Sequence, residues 1–295
     1  MPSLHPAAAS PAAAGELLAR LDEALAAHPA LTPLDEERFL ETHVLYEGRS
    51  DQQGQILRWF ADSVAPAVPE GRPYRVLSVG CGSGILDVPL ARALAPRAEP
   101  LRYVGVDPNV AECQAFSARF AEADLPGVEV TVRPCLFEEL RDPGPFDLVH
   151  IVHALYYVPS AAAFLEQARA LLAPGGRLVV FHAPREEMNA LAACFYDKQY
   201  GRPTLFADEV AELCRRRDWE HHRGRVDARL DVTPLADGDA ELGLALRDFI
   251  VQVDSAALSP AVQKLVDGYL AAITERAPDG RAFIAHPVDV FALTN

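Results

Sequence analysis

The stretch VLSVGCGSGILD, residues 76–87, places glycines at positions 80, 82 and 84 directly behind an apolar run. Glycine lets a backbone adopt turns, and approach a ligand closely, where a side chain would stand in the way. The apolar run before the glycines is typical of a strand, and the residues after them are typical of a helix. The stretch therefore predicts a ligand-binding turn between a strand and a helix.

The spacing of these glycines narrows the choice of ligand. The dinucleotide fingerprint G-x-G-x-x-G requires its third glycine at position 85, which is Ile85 here. A phosphate-binding P-loop is excluded because no Gly-Lys-Ser/Thr follows. The pattern G-x-G-x-G is similar to the nucleoside-binding turn of class I S-adenosylmethionine-dependent methyltransferases. This resemblance implies S-adenosyl-L-methionine as the cofactor.

Apolar runs alternate with helical patterns on both sides of the turn, which predicts βαβ units and a parallel sheet with helices on both faces. The runs are YRVLSV (74–79), LRYVGVD (101–107), VEVTVR (128–133), FDLVHIVHAL (146–155) and GRLVVFHA (176–183). Strand patterns also occur at 223–235 and 281–294. We predict a doubly wound α/β fold whose mostly parallel, seven-stranded sheet is of the class I methyltransferase type.

The chain is predicted to have three parts. Residues 1–12, rich in alanine and proline, are expected to be a disordered tail. Residues 13–72 carry three helical patterns, with Thr32 and Ser50 as expected N-caps, and are expected to close over the cofactor as a helical lid. Residues 73–295 form the α/β domain, with helical, substrate-side insertions around 185–280.

Composition limits the class of protein. The 295 residues carry a net charge of −15, which argues against nucleic acid or an anionic membrane as the main partner. No apolar run approaches the roughly 20 residues of a membrane helix, and the N-terminus lacks the pattern of a secretory signal. The five cysteines contain no C-x-x-C pair, which favours reduced thiols over a zinc site. We therefore expect a cytoplasmic protein without a metal; the sequence carries no signal of its oligomeric state.

Residues at three further strand ends complete the predicted cofactor site. An acid at the end of the second strand, Asp107, is placed to accept hydrogen bonds from ribose hydroxyls, although it could be an ordinary loop acid. Cys135 and Leu136 follow the third strand and are expected near the adenine, with plain packing as the alternative. The predicted cofactor-binding set is Gly80, Gly82, Gly84, Asp107, Pro108, Cys135, Leu136 and Val152.

Four segments resemble the histamine N-methyltransferase family more specifically. They are FDLVHIVHALYYVPSAAAFLEQARALLAPGGRLVVFHA (146–183), LSVGCGSGILD (77–87), SDQQ (50–53) and FIAHPVDVFAL (283–293). The resemblance covers most of residues 45–295, and it is stronger in the cofactor half than where a substrate would bind. It implies an S-adenosylmethionine-dependent N-methyltransferase that acts on a small amine or imidazole compound.

This resemblance also implies an acceptor pocket. The family's substrate-side carboxylate falls on Asp51, and its polar residue after the fourth strand falls on His153. Its aromatic wall falls on Tyr156 and Tyr157, and its C-terminal asparagine falls on His286. Relative to the family, the carboxylate is shorter and two amides have become histidines, which leaves the acceptor open among amines and imidazoles. Each residue also has a plain alternative: a helix-start acid, a satisfied loop or core histidine, or tyrosines that cap the sheet.

Methyl transfer is an in-line displacement in which much of the acceleration comes from positioning. An amine acceptor requires a base, and His153 or His286 is expected to supply it. Two other activities remain open at this point. The enzyme could use the aminobutyrate arm of S-adenosylmethionine, by transfer or by cyclisation to an azetidine, and release methylthioadenosine. The chain could also be an adenosyl-binding module without catalysis.

Overall fold

We analysed a computed structural model of the chain, which describes residues 11–141 and 144–294. These residues form two compact units. The sheet unit comprises Gln53–Ala183, Leu205–Val226 and the residues from Val288 onward. The helical unit comprises the residues up to Gln52 together with Pro184–Thr204 and Asp227–Pro287.

The sheet unit is built on seven strands with the order β3-β2-β1-β4-β5-β10-β6. They are β1 (Arg72–Val79), β2 (Ala98–Asp107), β3 (Val128–Pro134), β4 (Phe146–Val152), β5 (Leu172–His182), β6 (His221–Val226) and β10 (Val288–Thr294). The pairs among β1 to β5 are parallel, whereas β10 runs antiparallel to both β5 and β6. The predicted mostly parallel, seven-stranded α/β fold is confirmed.

Alternation along the strands explains why helices cover both faces of this sheet. In β1, Val76 belongs to one apolar cluster, whereas Leu77 and Val79 belong to the other, because successive side chains point to opposite faces. The helices that pack into the Val76 cluster are α3 (Gln52–Ser63), α4 (Asp87–Leu94) and α5 (Val110–Ala123). Those that pack into the other cluster are α6 (Ala161–Ala170) and α8 (Ala207–Arg216).

The helical unit has its own apolar core, which includes Leu21, Leu25, Phe195 and Val266. Its helices are α1 (Pro11–Ala27), α2 (Glu36–Arg49), α7 (Glu187–Tyr200), α9 (Thr233–Ala236), α10 (Leu242–Val251) and α11 (Pro260–Ile273). It also contains a small antiparallel sheet with the order β7-β9-β8. These strands are β7 (Arg229–Asp231), β8 (Glu275–Arg276) and β9 (Ala282–Ala285).

Several predicted boundaries near the N-terminus differ from the structure. Of the predicted tail, residues 1–10 lie outside the described residues, while residues 11 and 12 already belong to α1. The N-cap of α2 is Asp35 and not Thr32, because the Asp35 side chain accepts a hydrogen bond from the Arg38 N–H at 2.8 Å. Ser50 ends α2 as its C-cap, and α3 begins at Gln52.

Two predicted strands are each divided in the structure. The stretch 223–235 contributes to β6 in one sheet and to β7 in the other, and the closing stretch 281–294 forms β9 and β10 in the same way. The first boundary between the compact units lies at Gln52/Gln53, whereas we expected it at 72/73. It lies there because Ile56 and Phe60 of α3 are buried in a core of the sheet unit.

Candidate functional site

The three glycines after β1 all have left-handed backbones, with φ of +69° at Gly80, +51° at Gly82 and +77° at Gly84. Their surroundings differ. A Cβ on Gly80 would lie 2.8 Å from the Ala154 Cβ, and one on Gly84 would lie 2.9 Å from the Phe116 ring. A Cβ on Gly82 would meet nothing closer than the Glu112 carboxylate at 3.8 Å. Gly80 and Gly84 are thus required by the protein's own packing, while Gly82 borders open space that a ligand can enter.

The carboxylate of Asp107 is tied to this turn. Its Oδ2 accepts the N–H of Gly82 at 3.0 Å, and its Oδ1 accepts the N–H of Asn109 at 2.8 Å. A carboxylate has about four lone-pair sites, so each oxygen keeps the capacity to accept one more hydrogen bond. The carboxylate can therefore accept hydrogen bonds from a vicinal diol, such as the ribose of a nucleoside, beside the open space at Gly82. Pro108, which follows it, is exposed.

The other predicted cofactor residues follow neighbouring parallel strands at the same edge of the sheet. Cys135 and Leu136 come directly after β3, and Val152 is the last residue of β4. The Leu136 side chain is 51% exposed, while Cys135 and Val152 are partly buried against the apolar clusters. An exposed leucine at this edge provides an apolar surface of the kind that an adenine ring requires.

The segment after β4 forms an aromatic cluster. His153 has a φ of +52°, and its backbone N–H donates to the Phe181 carbonyl at 3.1 Å. Its ring lies nearly parallel to that of Tyr156, with centroids 6.2 Å apart. Tyr157 meets Tyr156 edge-on at 6.2 Å and is 80% exposed. The structure therefore places Tyr156, and not Tyr157, at the centre of the cluster.

His182, which the sequence analysis did not single out, belongs to the same cluster. It ends β5, is fully buried, and stacks on Tyr156 with centroids 4.3 Å apart. Since its Nε2 faces the Leu205 carbonyl at 3.0 Å, Nε2 carries the proton and Nδ1 carries the free lone pair. Burial, with a contribution from nearby His153, lowers the pKa of His182 to about 3, so the ring is neutral at physiological pH.

The Nδ1 of His182 has no hydrogen-bond partner among residues 11–141 and 144–294. A buried acceptor without a partner is unusual in folded proteins. Its position at the carboxyl end of a strand adjacent to β4 was the signal in the sequence that could have marked it.

The two remaining predicted acceptor residues belong to the helical unit. The Asp51 Oδ1 accepts the Arg229 N–H at 2.7 Å, and the Asp51 N–H donates to the Arg229 carbonyl at 3.1 Å. The buried His286 ring contacts the Tyr46 hydroxyl through Nε2 at 2.7 Å and the Ser50 hydroxyl through Nδ1 at 2.8 Å. Both residues thus have bonds that organise the helical unit, whereas His153 and Tyr157 belong to the sheet unit.

A buried polar network lies within the sheet unit beside the glycine turn. The Tyr103 hydroxyl donates to Asp87 Oδ1 at 3.0 Å and lies 2.8 Å from His150 Nε2, which must therefore be the donor to the tyrosine oxygen. Burial raises the pKa of Asp87 to about 6 and lowers that of His150 to about 3. Asp87 is the first residue of α4, so the network ties the helix after the turn to β2 and β4.

Three further observations concern the described residues as a whole. Within residues 11–141 and 144–294, no group of three or more His, Cys, Asp or Glu side chains has the arrangement to hold a metal ion. Among the helices of the described residues, none has the length and apolar character needed to cross a membrane. The five cysteines are free thiols.

Comparisons with known proteins agree on one family. A family profile described as a methyltransferase domain matches residues 49–222, which is more than half of the chain. The ubiquinone biosynthesis O-methyltransferase of Caulobacter sp. (strain K31) is 31% identical over 128 residues, which are 43% of this chain and 47% of the relative. The protein of the same name from Azorhizobium caulinodans is 36% identical over 110 residues, which are 36% and 39% of the two chains.

The matched stretches thus span less than half the length of these curated relatives. Among solved structures, the YcgJ protein of Bacillus subtilis has a TM-score of 0.52 at 12% identity. The match covers 81% of this chain and 99% of that one. At this identity the likeness shows a shared fold alone.

Proposed function

This chain belongs to the methyltransferase domain family and uses S-adenosylmethionine, and we propose that it methylates a hydroxyl group of a small molecule. The observation that carries the cofactor assignment is the turn itself, where Gly82 borders open space and its N–H donates to the carboxylate of Asp107, whereas the choice of a hydroxyl rests on the names of the curated relatives. We assign the ribose to Asp107, the close backbone approach to Gly82 and the adenine surface to Leu136.

The cofactor supplies, when bound, a methyl group on a positively charged sulfur. The task left to the protein is to orient a lone pair of the acceptor, to exclude water and to receive a proton. We assign the proton to His153, which follows β4 and is only partly buried. His182 is fully buried and its ring is neutral at physiological pH, so it is not suited to act as the base.

The names of the relatives favour oxygen as the accepting atom. The two curated relatives carry the name of an O-methyltransferase, although each matches this chain over less than half of its own length. The Nδ1 of His182 does not bear on this choice, because the ring is fully buried.

A small amine or imidazole is the second candidate for the acceptor. The likeness to the histamine N-methyltransferase family suggests it, and the rings of Tyr156 and Tyr157 beside His153 favour it. Aromatic faces stabilise a nearby cationic nitrogen by about 0.5–2 kcal/mol.

An acceptor panel tests the proposal. The purified chain is incubated with S-adenosylmethionine and with matched phenols, alcohols, amines and imidazoles, and the release of S-adenosylhomocysteine is followed by mass spectrometry. We expect turnover with hydroxyl compounds, and a loss of about 10²–10⁴-fold in His153→Ala because general-base catalysis contributes that much. His222→Ala, which removes an exposed histidine of β6, is the control and should keep full turnover.

The outcomes separate the candidates. Turnover with amines or imidazoles alone would overturn the hydroxyl proposal in favour of the second candidate. Release of methylthioadenosine would show that the aminobutyrate arm is used instead of the methyl group. If His153→Ala and His222→Ala behave alike, the role assigned to His153 is wrong.

A further inference from the structure

A groove of about 720 Å³ lies in the helical unit, between the end of α2 and the strands β7 and β9. This volume is within the range of about 300–1,000 Å³ that is usual for sites of small molecules. Arginines are its most distinctive lining residues: Arg49 from the end of α2, Arg229 from β7 and Arg281 from the residue before β9. Two aspartates, Asp51 and Asp231, line the groove beside these arginines.

Two of the three guanidinium groups have unused hydrogen-bond donors. The Arg229 guanidinium lies over the Phe283 ring, 5.0 Å from its centroid, and enters no ion pair within the described residues. Arg281 lies 5.1 Å from the same centroid, and its Nε donates to the Asp279 Oδ2 at 2.8 Å. The buried Nε of Arg49 has no hydrogen-bond partner in the described part of the chain, and its NH1 is 3.8 Å from Asp231.

The two carboxylates that line the groove are both engaged by backbone groups. Asp51 Oδ1 accepts the N–H of Arg229 at 2.7 Å, and Asp231 Oδ1 accepts the N–H of Thr233 at 2.9 Å. Partial burial works to raise the pKa of Asp231, but the Thr233 hydrogen bonds and the charges of the nearby arginines lower it overall. Arg281 is paired with Asp279 and Arg49 with Asp231, so among these three arginines Arg229 is the one whose guanidinium pairs with no carboxylate of the described residues.

Apolar side chains lie in the same groove. Val44 is 70% exposed on α2, although a valine gains by burial, and Leu45 and Phe283 line the groove with it. An exposed apolar edge beside the unpaired guanidinium of Arg229 is complementary to a molecule with an apolar body and an anionic head. The fork of N–H donors in a guanidinium matches a carboxylate or a phosphate group.

We propose that this groove binds a small organic anion, with its carboxylate or phosphate on Arg229 and Arg49 and its apolar body on Val44 and Phe283. The proposal is independent of the proposed function, because it concerns binding in the absence of a methyl donor.

Isothermal titration calorimetry with the full chain tests this proposal. The probes are benzoate and phenyl phosphate, with benzyl alcohol and benzylamine as neutral and cationic counterparts of similar shape. We expect binding of the anions, with benzyl alcohol and benzylamine much weaker. Tighter binding of phenyl phosphate identifies a phosphate head, and tighter binding of benzoate identifies a carboxylate head.

Variants locate the site. Arg229→Gln leaves the backbone bonds to Asp51 in place and should weaken anion binding by about tenfold or more, the range for a hydrogen bond to a charged group. Val44→Ser, at an exposed position, should weaken it several-fold. Arg20→Gln makes the same charge change on exposed α1, outside the groove lining, and should leave affinity unchanged.

Three results would overturn the proposal. These are no binding of either anion at millimolar concentration, binding of benzyl alcohol as tight as that of benzoate, and equal anion affinities in Arg229→Gln and Arg20→Gln. Circular dichroism and thermal melting of each variant establish that a loss of affinity is not a loss of fold.

Discussion

At the scale of single residues, different structural constraints explain the glycines at positions 80, 82 and 84. Close neighbours, Ala154 and Phe116, leave no room for a side chain at Gly80 and Gly84, whereas Gly82 has a left-handed backbone beside open space, where we propose that the ligand binds. The sequence pattern marks all three alike, since spacing carries no information about neighbours. Only the three-dimensional surroundings separate the packing role from the proposed binding role.

This difference makes Gly82→Ala a selective probe of the cofactor site. The added methyl group meets no protein atom within 3.4 Å, so we expect a stability cost of about 1–2 kcal/mol from the left-handed backbone alone. S-adenosylmethionine should bind at least about tenfold more weakly, because the methyl group occupies the space where the backbone approaches the ligand. Calorimetry measures the affinity, and urea unfolding measures the stability.

Gly127→Ala is the matched control for this probe. Gly127 has a φ of +74°, also borders open space, and precedes β3 outside the turn. It should lose similar stability and keep the wild-type affinity for S-adenosylmethionine. Equal affinities in the two variants would remove Gly82 from the cofactor site.

At the scale of elements, the buried network of Asp87, Tyr103 and His150 links the helix after the turn to two strands. Asp87 begins α4, Tyr103 belongs to β2 and His150 to β4, and all three side chains are almost completely buried. His150 lies inside the strand pattern 146–155, and that pattern carries no sign of its two partners, which lie 47 and 63 positions away in the chain.

The network predicts a specific dependence of stability on pH. Because the pKa of Asp87 is raised from 3.8 to about 6 in the folded state, the folded state binds the proton more tightly than the unfolded state. The stability contributed by this group is therefore present at low pH and is lost as pH rises through about 6. Asp87→Asn removes this contribution and keeps an oxygen that accepts the Tyr103 hydroxyl.

Urea unfolding at a series of pH values measures the contribution of Asp87 as the difference in unfolding free energy between the wild type and Asp87→Asn. The unfolding free energy of the wild type minus that of Asp87→Asn should fall by about 2 kcal/mol as pH rises from about 4.5 to about 8. The opposing contribution of His150, whose lowered pKa destabilises the fold as pH falls below 6.5, is shared by both proteins. Asp62→Asn, at an exposed carboxylate of α3, is the control. A flat difference for Asp87→Asn, or one of opposite slope, would contradict the assignment.

Local sequence patterns do not determine the N-cap of α2. Both Thr32 and Asp35 precede a helical pattern, and either could cap it on local grounds. The structure selects Asp35, whose carboxylate reaches the N–H of Arg38. Arg38 itself pairs with the buried Asp248 of α10, 210 positions away, and no local pattern reveals such a partner.

At the scale of the whole molecule, the sheet of the sheet unit was predictable, whereas for the helical unit the sequence predicted helices but not how they assemble. Apolar runs such as those of β1, β2 and β4 predict a parallel sheet, because few other folds are compatible with strands that alternate with helices along the chain. The helical unit is assembled from three separate stretches of the chain, and α1 packs against α11 across more than two hundred residues. The groove of this unit is lined by residues of α2, β7 and β9, which are far apart in the sequence and form no local motif.

The central claim is that the turn at Gly82, together with Asp107, holds the methyl donor. A crystal structure of the chain with S-adenosylhomocysteine tests it most directly. The account predicts ribose hydroxyls within hydrogen-bond distance of the Asp107 carboxylate and ligand atoms in van der Waals contact with the Gly82 backbone. A ligand bound elsewhere, or bound at the turn with its ribose away from Asp107, would contradict the account.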